Sequence, residues 1–72
     1  MEQLNQMQHN FLTQAKAKAV PMTMFLMNGF QLRGIITQFD ERTVVLETDG
    51  KQQLIYKHAI STVVPHQPVE LG

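Results

Sequence analysis

Pro21 separates two segments of the chain that have different hydrophobic periods. Before it, apolar residues recur at helical spacing, at Met7, Phe11, Leu12, Ala15 and Ala19. Steps of three and four residues place such side chains on one face of a helix. Asn5 followed by Gln8 has the form of a capping box, and Pro21 ends a helix at or before Val20. We predict one helix over about residues 6–18.

After Pro21 the hydrophobic period is two, which is typical of a strand. In "PMTMFLM" three residues on one face, Met22, Met24 and Leu26, alternate with Thr23, Phe25 and Met27. The run stops at Asn28-Gly29, a strong signal for a hairpin turn. We therefore predict a first strand that begins near residue 20 and returns through this turn.

Four further strands follow from the pattern of β-branched residues and turns. We predict them over about residues 30–39, 43–47, 52–56 and 59–64, with an Asp-Gly turn within 48–51. Gly34 lies inside the second of the five strands, where a missing side chain permits a sharp bend or a close backbone approach. The expected fold is mostly β: a strongly bent, partly open barrel over residues 1–65 with the helix across one end, and a loose tail over 66–72.

The two outer strands of this sheet need partners. A chain of 72 residues buries only about 60% of its unfolded surface, and it has no cysteine for disulfides or thiolate zinc sites. The predicted edges, near residues 54–56 and 60–64, lack the lysines and internal prolines that usually protect an exposed edge. We expect the fourth strand of one copy to pair with the fifth strand of the next in a closed ring.

Charge and hydropathy indicate where in the cell the protein is expected. Six basic residues balance six acidic ones, so the protomer has no general attraction for polyanions. No apolar run approaches the roughly 20 residues of a membrane span, and the first residues do not resemble a signal peptide. We predict a soluble cytoplasmic protein with no membrane partner.

The stretch "YKHAIS" contains three side chains that could take part in catalysis or ligand binding, Tyr56, Lys57 and His58. Catalysis is disfavoured because no nucleophile stands in a recognisable motif and the histidine lacks an evident orienting partner. The three histidines are too scattered to predict a metal site. We predict no catalytic residue, no metal and no cofactor, which leaves a polar turn or a nucleic-acid surface.

Two motifs resemble those of a known family. "NGFQLRGIITQFD" at residues 28–40 resembles the first Sm motif, and "YKHAIS" resembles the second motif in the form found in the Hfq family of bacterial RNA chaperones. The resemblance extends over about residues 7–65. It implies an Sm-like (SH3-like) barrel in a non-enzymatic homohexameric ring that binds single-stranded RNA. It also implies pairing of small regulatory RNAs with messenger RNAs, in post-transcriptional regulation and the stress response.

On the proximal face of such a ring, which binds uridine-rich strands, the resemblance assigns six residues: Gln8, Glu41, Arg42, Tyr56, Lys57 and His58. Gln8 would read a uracil edge, while Lys57 and His58 would donate to carbonyls, hydroxyls or phosphates. Tyr56 would brace the site. Arg42 stands where the family usually has a stacking aromatic, and Glu41 adds a repulsive charge, so we predict weaker uridine binding than in a relative that has the aromatic.

On the distal face, which binds adenine-rich strands, the resemblance assigns Phe25, Gly29, Phe30, Gln31, Leu32, Arg33, Gln53 and Thr62. Core packing is the competing interpretation for Phe25 and Leu32, whereas Phe30 beside a turn is the best stacking candidate. The outer rim would use Lys16 and Lys18, which could also be merely solubilising. Ala17 and Ala19 occupy places where strongly annealing relatives have arginines, so we expect modest annealing.

A function of another class also fits the sequence. A small SH3-like barrel could bind a protein or peptide, or build a scaffold, through Phe30 and its open strands. RNA binding should weaken steeply with salt, whereas apolar peptide binding should not.

Overall fold

A computed structural model describes the backbone of residues 2–70, with side chains from residue 6 onward. The elements are α1 (Glu2–Ala17), β1 (Pro21–Leu26), β2 (Gln31–Phe39), β3 (Thr43–Thr48), β4 (Lys51–Tyr56), a short 3₁₀ turn (Lys57–Ala59) and β5 (Ile60–Pro65). One helix is followed by five antiparallel strands in an open, strongly bent sheet, which is the predicted Sm-like fold class.

The helix is longer at its start than predicted. It begins at Glu2 instead of near residue 6, so Asn5 lies inside it. The side chain of Asn5, and with it the expected capping contact, lies outside the described residues. No helix within residues 2–70 is long and apolar enough to cross a membrane.

The end of α1 is closed by backbone hydrogen bonds. The Val20 N–H donates to the Ala15 carbonyl at 3.0 Å, and the Ala19 N–H donates to the Lys16 carbonyl at 3.2 Å. This pair of bonds is the Schellman motif, in which one residue adopts a left-handed conformation. Ala19 is that residue, with φ of 51°. The chain therefore turns directly from the helix into β1.

The strand order is β4-β3-β2-β1-β5, and every neighbouring pair is antiparallel. The outer strands β4 and β5 are consecutive in sequence and are separated by only the 3₁₀ turn, yet they lie at opposite edges of the sheet. The two predicted edge strands are thus the observed ones.

The two tight turns follow from local sequence. Between β3 and β4, Asp49 and Gly50 have φ of 51° and 80°, as a two-residue type I′ turn requires. Between β1 and β2, Gly29 has φ of 92° and the Phe30 N–H donates to the Asn28 side chain at 3.0 Å. Phe30 lies in this turn, one residue before β2 begins.

Gly34 marks a close approach of β2 to β3. A side chain there would meet the Glu47 carbonyl and would place Cβ 2.6 Å from the Thr48 hydroxyl. The Thr48 hydroxyl in turn donates to the Arg33 carbonyl. Of the two possibilities that the sequence left open for Gly34, the structure shows the close backbone approach.

The core lies between α1 and the concave side of the sheet. It is formed by Leu12, Ala15, Val20, Met22, Met24, Ile36, Val44, Leu46 and Ile55. Met22 and Met24 share the buried face of β1, as their alternation predicts. Met7 is 63% exposed, so the packed face of the helix begins at Phe11 and not at Met7.

The segment that follows β5 contacts the barrel. The His66 N–H donates to the Pro21 carbonyl at 2.9 Å, and the His66 Nε2 lies 2.9 Å from the Thr23 hydroxyl. Val69 packs against the core. Residues 71–72 of the predicted loose tail lie outside the described residues.

Candidate functional site

The six predicted proximal residues line two adjoining depressions at one end of the barrel. The first depression is lined by Gln8, His9, Phe39, Asp40, Glu41, Arg42 and Lys57. The second is lined by Glu41, Arg42, Tyr56, Lys57 and His58. We call the two together the proximal surface, and three of its residues, Glu41, Arg42 and Lys57, belong to both depressions.

This surface combines the ends of β2 and β4, which supply Phe39 and Tyr56, with residues from the helix and two turns. Gln8 comes from α1, Glu41 and Arg42 from the β2–β3 turn, and Lys57 from the 3₁₀ turn after β4. The Lys57 N–H donates to the Arg42 carbonyl at 2.8 Å, which fixes the two turns against each other. Residues far apart in sequence are therefore held at a constant spacing.

Asp40 organises the β2–β3 turn. One oxygen of its carboxylate accepts bonds from the Thr43 hydroxyl at 2.7 Å, the Thr43 N–H at 2.8 Å and the Arg42 N–H at 2.9 Å. These bonds, led by the one from the Thr43 hydroxyl, lower the pKa of Asp40 below its ordinary value of 3.8. The ionised Asp40 thus holds the turn while Glu41 and Arg42 point from its exposed tip.

Tyr56 and His58 provide flat side chains beside the cations. Their ring centroids are 5.9 Å apart with planes inclined by 32°, and Tyr56 is 54% exposed. Arg42 and Lys57 bring two positive charges to the same surface, whereas Asp40 and Glu41 bring two negative ones. The surface can donate hydrogen bonds to an anion but carries little net charge in a single protomer.

Phe39 is a residue of this surface that sequence reasoning missed. The Lys57 Nζ lies 5.6 Å from the centroid of its ring, and the Lys16 Nζ lies 6.0 Å from it. His9 meets the same ring edge-on at 5.6 Å. The sequence pointed to these two residues only through their nearness to predicted site residues: His9 follows Gln8, and Phe39-Asp40 precedes Glu41. Since Lys16 is a predicted rim residue, this ring connects the rim to the proximal surface.

A third depression lies at the start of β2, opposite the end that supplies Phe39 to the proximal surface. It is lined by Gln31, Leu32, Arg33, Thr48, Asp49, Lys51 and Gln53. Four predicted distal residues are thus brought together: Gln31, Leu32, Arg33 and Gln53. We call this the distal depression. Its other three residues, Thr48, Asp49 and Lys51, lie in the β3–β4 turn and at the strand ends that flank it, and they were not predicted.

The other four distal residues lie outside this depression, and one of them, Thr62, lines a depression with the predicted proximal residues Gln8 and Lys57 instead. Phe25 pairs with Gln31 on one side and with Thr62 on the other, and Gly29 and Phe30 occupy the β1–β2 turn. Phe30 is 67% exposed, as expected for a residue at a turn. Leu32 is partly buried and packs against the core, so the core interpretation holds for part of its surface.

The two rim lysines occupy the end of the helix. Lys16 is in the last turn of α1, and Lys18 follows the helix; both are exposed. Over the described part of the chain, no three His, Asp or Glu side chains converge as a metal site would require.

Comparison with known proteins identifies the family. The family model described as "Hfq protein" matches residues 7–70. The chain belongs to the Hfq family. An RNA-binding protein Hfq from Halalkalibacterium halodurans is 56% identical over 64 residues, which cover 89% of this chain and 82% of that protein. One from Bacillus cereus is 55% identical over 71 residues, which cover 99% of this chain and 96% of that protein.

A solved structure agrees with the fold. The crystal structure of the pleiotropic translational regulator Hfq superposes with a TM-score of 0.77 at 47% sequence identity. The match covers 79% of this chain and 95% of the solved chain. The predicted family and the Sm-like fold class are both confirmed.

Proposed function

We propose that this protein is an RNA chaperone that works without chemical turnover in the cytoplasm. Copies of the chain form a homohexameric ring that binds single-stranded uridine-rich RNA on the proximal face and adenine-rich RNA on the distal face. By holding both kinds of strand, the ring promotes pairing of small regulatory RNAs with messenger RNAs. Membership of the Hfq family supports the RNA-binding part of this proposal.

The observation that carries the proposal is the pair of open sheet edges. β4 and β5 each have a neighbour on one side only, and they expose apolar side chains: Leu54 at 59% and Val64 at 44%. An open edge of this kind pairs readily with another strand. Pairing β4 of one copy with β5 of the next satisfies both edges and closes into a ring if the rotation is regular.

The ring also compensates for the small number of donors on each protomer. Lys57 and Arg42 of each copy would recur around the ring together with Asp40 and Glu41, so that one RNA strand meets a repeated track of hydrogen-bond donors. Single-stranded RNA offers phosphates, 2′-hydroxyls and unstacked bases to such a track. Gln8 and His58 supply further donors to base edges and hydroxyls.

The separation of the two RNA sites is supported by the length of β2. The distal depression includes Gln31 at its start, and the proximal surface includes Phe39 at its end. β2 has nine residues, and the two sites lie at opposite ends of it. Two strands of RNA could therefore occupy the two sites at once.

Binding of two labelled oligonucleotides, U6 and A18, tests this function by fluorescence anisotropy. Lys57→Ala removes a charged donor from the proximal surface and should weaken U6 binding by roughly tenfold, while leaving A18 nearly unchanged. Phe30→Asp removes the exposed ring and should weaken A18 by about the same factor, while leaving U6 nearly unchanged. A wild-type protein that binds neither oligonucleotide would refute the proposal.

A peptide-binding barrel is the second candidate, and it is favoured by the exposure of Phe30 at 67% beside open strand edges. Ionic strength separates the two functions. Affinity for U6 and A18 should fall steeply between about 50 and 200 mM salt, as release of counterions from phosphates requires. Binding that is insensitive to salt would favour the peptide function instead.

A further inference from the structure

The distal depression is built from two parts of the chain, and only one of them belongs to the distal site predicted above. Gln31 and Arg33 come from the start of β2, and Gln53 comes from β4. Asp49 in the β3–β4 turn and Lys51, the residue of β4 that directly follows this turn, line the same depression. The turn therefore forms an additional side of the distal depression, next to the predicted distal residues.

Contacts with the backbone hold this side of the depression in place. The Thr48 hydroxyl donates to the Arg33 carbonyl, and Gly34 lets the Glu47 backbone approach β2 more closely than any side chain would permit. The type I′ geometry at Asp49 and Gly50 fixes the direction in which the turn projects. A charge carried by the turn is thus kept at a constant position relative to Arg33.

The chemistry of the depression suits a phosphate beside a base. Lys51 and Arg33 supply two exposed cations, and the amides of Gln31 and Gln53 can both donate to and accept from a base edge. Asp49 adds one negative charge to the lining of the depression. The two cations exceed it, so the depression attracts an anion, and the carboxylate weakens that attraction.

We propose that the β3–β4 turn extends the distal RNA site, with Lys51 and Arg33 together binding a phosphate of the adenine-rich strand. Asp49 opposes this contact and limits its strength. This inference rests on the proposed function, because it names new contacts for the distal strand. It places the path of the RNA across the end of β3 and the start of β4, next to the predicted distal residues.

Two substitutions with opposite expected effects test the proposal in the A18 binding assay. Lys51→Gln should weaken A18 binding about threefold to tenfold and should reduce the slope of log affinity against log salt by about 0.7 for each phosphate that is no longer neutralised. Lys51→Arg keeps the charge and should retain the affinity. Asp49→Asn should tighten A18 binding about twofold or more, since asparagine tolerates the left-handed backbone at that position.

Two controls separate a local contact from a general effect of net charge. Glu70→Gln makes the same charge change as Asp49→Asn, at a residue outside the depression, and should leave A18 binding unchanged. U6 binding should be unaffected by every one of these variants. An unchanged A18 affinity and salt slope in Lys51→Gln would overturn the inference while leaving the proposed function intact; a wild type that binds neither oligonucleotide would overturn both.

Discussion

At the scale of single residues, Arg42 is where we predict the weakest part of the proposed uridine site. Arg42 lies at the exposed tip of the β2–β3 turn and lines both depressions of the proximal surface. A guanidinium can stack on a base, but an aromatic ring offers a larger apolar face. Two ring pairs line the same surface as Arg42, Tyr56 with His58 and His9 with Phe39.

Replacing Arg42 with phenylalanine should therefore strengthen uridine binding. Stacking of one base on an aromatic ring contributes about 1–3 kcal/mol, so U6 affinity should rise by at least about fivefold. Titration of U6 into wild type, Arg42→Phe and Arg42→Ala measures this. Arg42→Ala, which loses both the charge and the plane, should bind more weakly than wild type. A loss of affinity in Arg42→Phe would show that the guanidinium is the better partner here.

Asp40 controls the stability of the same turn. Because its folded-state pKa is lowered, the ionised carboxylate stabilises the folded protein above the ordinary pKa of 3.8, and this contribution is lost as pH falls through the lowered value. Asp40→Ala should lower the melting temperature at pH 7, and the difference from wild type should shrink below about pH 4. Asp40→Asn keeps the accepting oxygen and should melt between the two. Equal melting temperatures for wild type and Asp40→Ala at pH 7 would show that the three bonds contribute nothing.

The residues of the proximal surface were predicted only where a motif or the wider family resemblance included them. Lys57 and His58 stand in a short recognisable stretch, and Gln8 was found through the resemblance. Phe39 and His9 were not found, because their contact joins the end of β2 to the helix and depends on the tertiary fold. Lys51 was missed for a similar reason: only the register of β3 with β2 brings its turn to Arg33.

At the scale of elements, the end of α1 contains a strained residue. Ala19 has φ of 51°, a left-handed conformation that is unfavourable for any residue with a Cβ atom. Glycine is the usual residue at this position of a Schellman motif. Ala19→Gly should therefore raise the free energy of unfolding by about 1 kcal/mol, as measured by thermal or urea denaturation.

Substitution of alanine by glycine at position 17, two residues before Ala19, provides the control. Ala17 is the last residue of the helix and is exposed, so Ala17→Gly removes helix propensity without relieving strain and should destabilise the protein. If both substitutions destabilise, then the backbone at Ala19 stores no strain.

The end of the helix also limits the proposed annealing activity. Lys16 and Lys18 give the rim point charges but no guanidinium, and Ala17 between them is exposed. Ala17→Arg adds a group that binds phosphate through two hydrogen bonds and should accelerate pairing of two complementary RNAs several-fold. Ala17→Gln, of similar length but uncharged, should leave the rate near that of wild type. An unchanged rate in Ala17→Arg, measured by stopped-flow fluorescence, would remove the rim from the mechanism.

The order and type of the elements could be predicted because each signal is local. Asn28-Gly29 and Asp49-Gly50 specify turns through their own backbone preferences, and Pro21 specifies the change from helix to strand. The start of the helix could not be predicted, because a polar pair such as Asn5 and Gln8 fits a helix interior as well as a cap. The strand predicted over 30–39 includes Phe30 because no local signal shows that the preceding turn extends through it.

At the scale of the whole molecule, the central claim is that the chain completes its sheet with a second copy of itself. The free edges β4 and β5 expose Leu54 and Val64 in a protein whose core is small. The proximal surface of one protomer offers only a few hydrogen-bond donors, so repetition around a ring is what would let one RNA strand bind several copies at once. Assembly and RNA binding should therefore be lost together.

Native mass spectrometry of wild type and Leu54→Asp tests this claim most directly, with Gln52→Glu as a control at an exposed position of the same strand. We expect wild type and Gln52→Glu to give one particle of six times the 8.2 kDa chain mass. We expect Leu54→Asp to dissociate toward monomer, because a buried charge at the joint is costly, and to lose U6 binding as well. A wild-type particle of one chain mass, or a monomeric Leu54→Asp that still binds U6 with full affinity, would contradict the account.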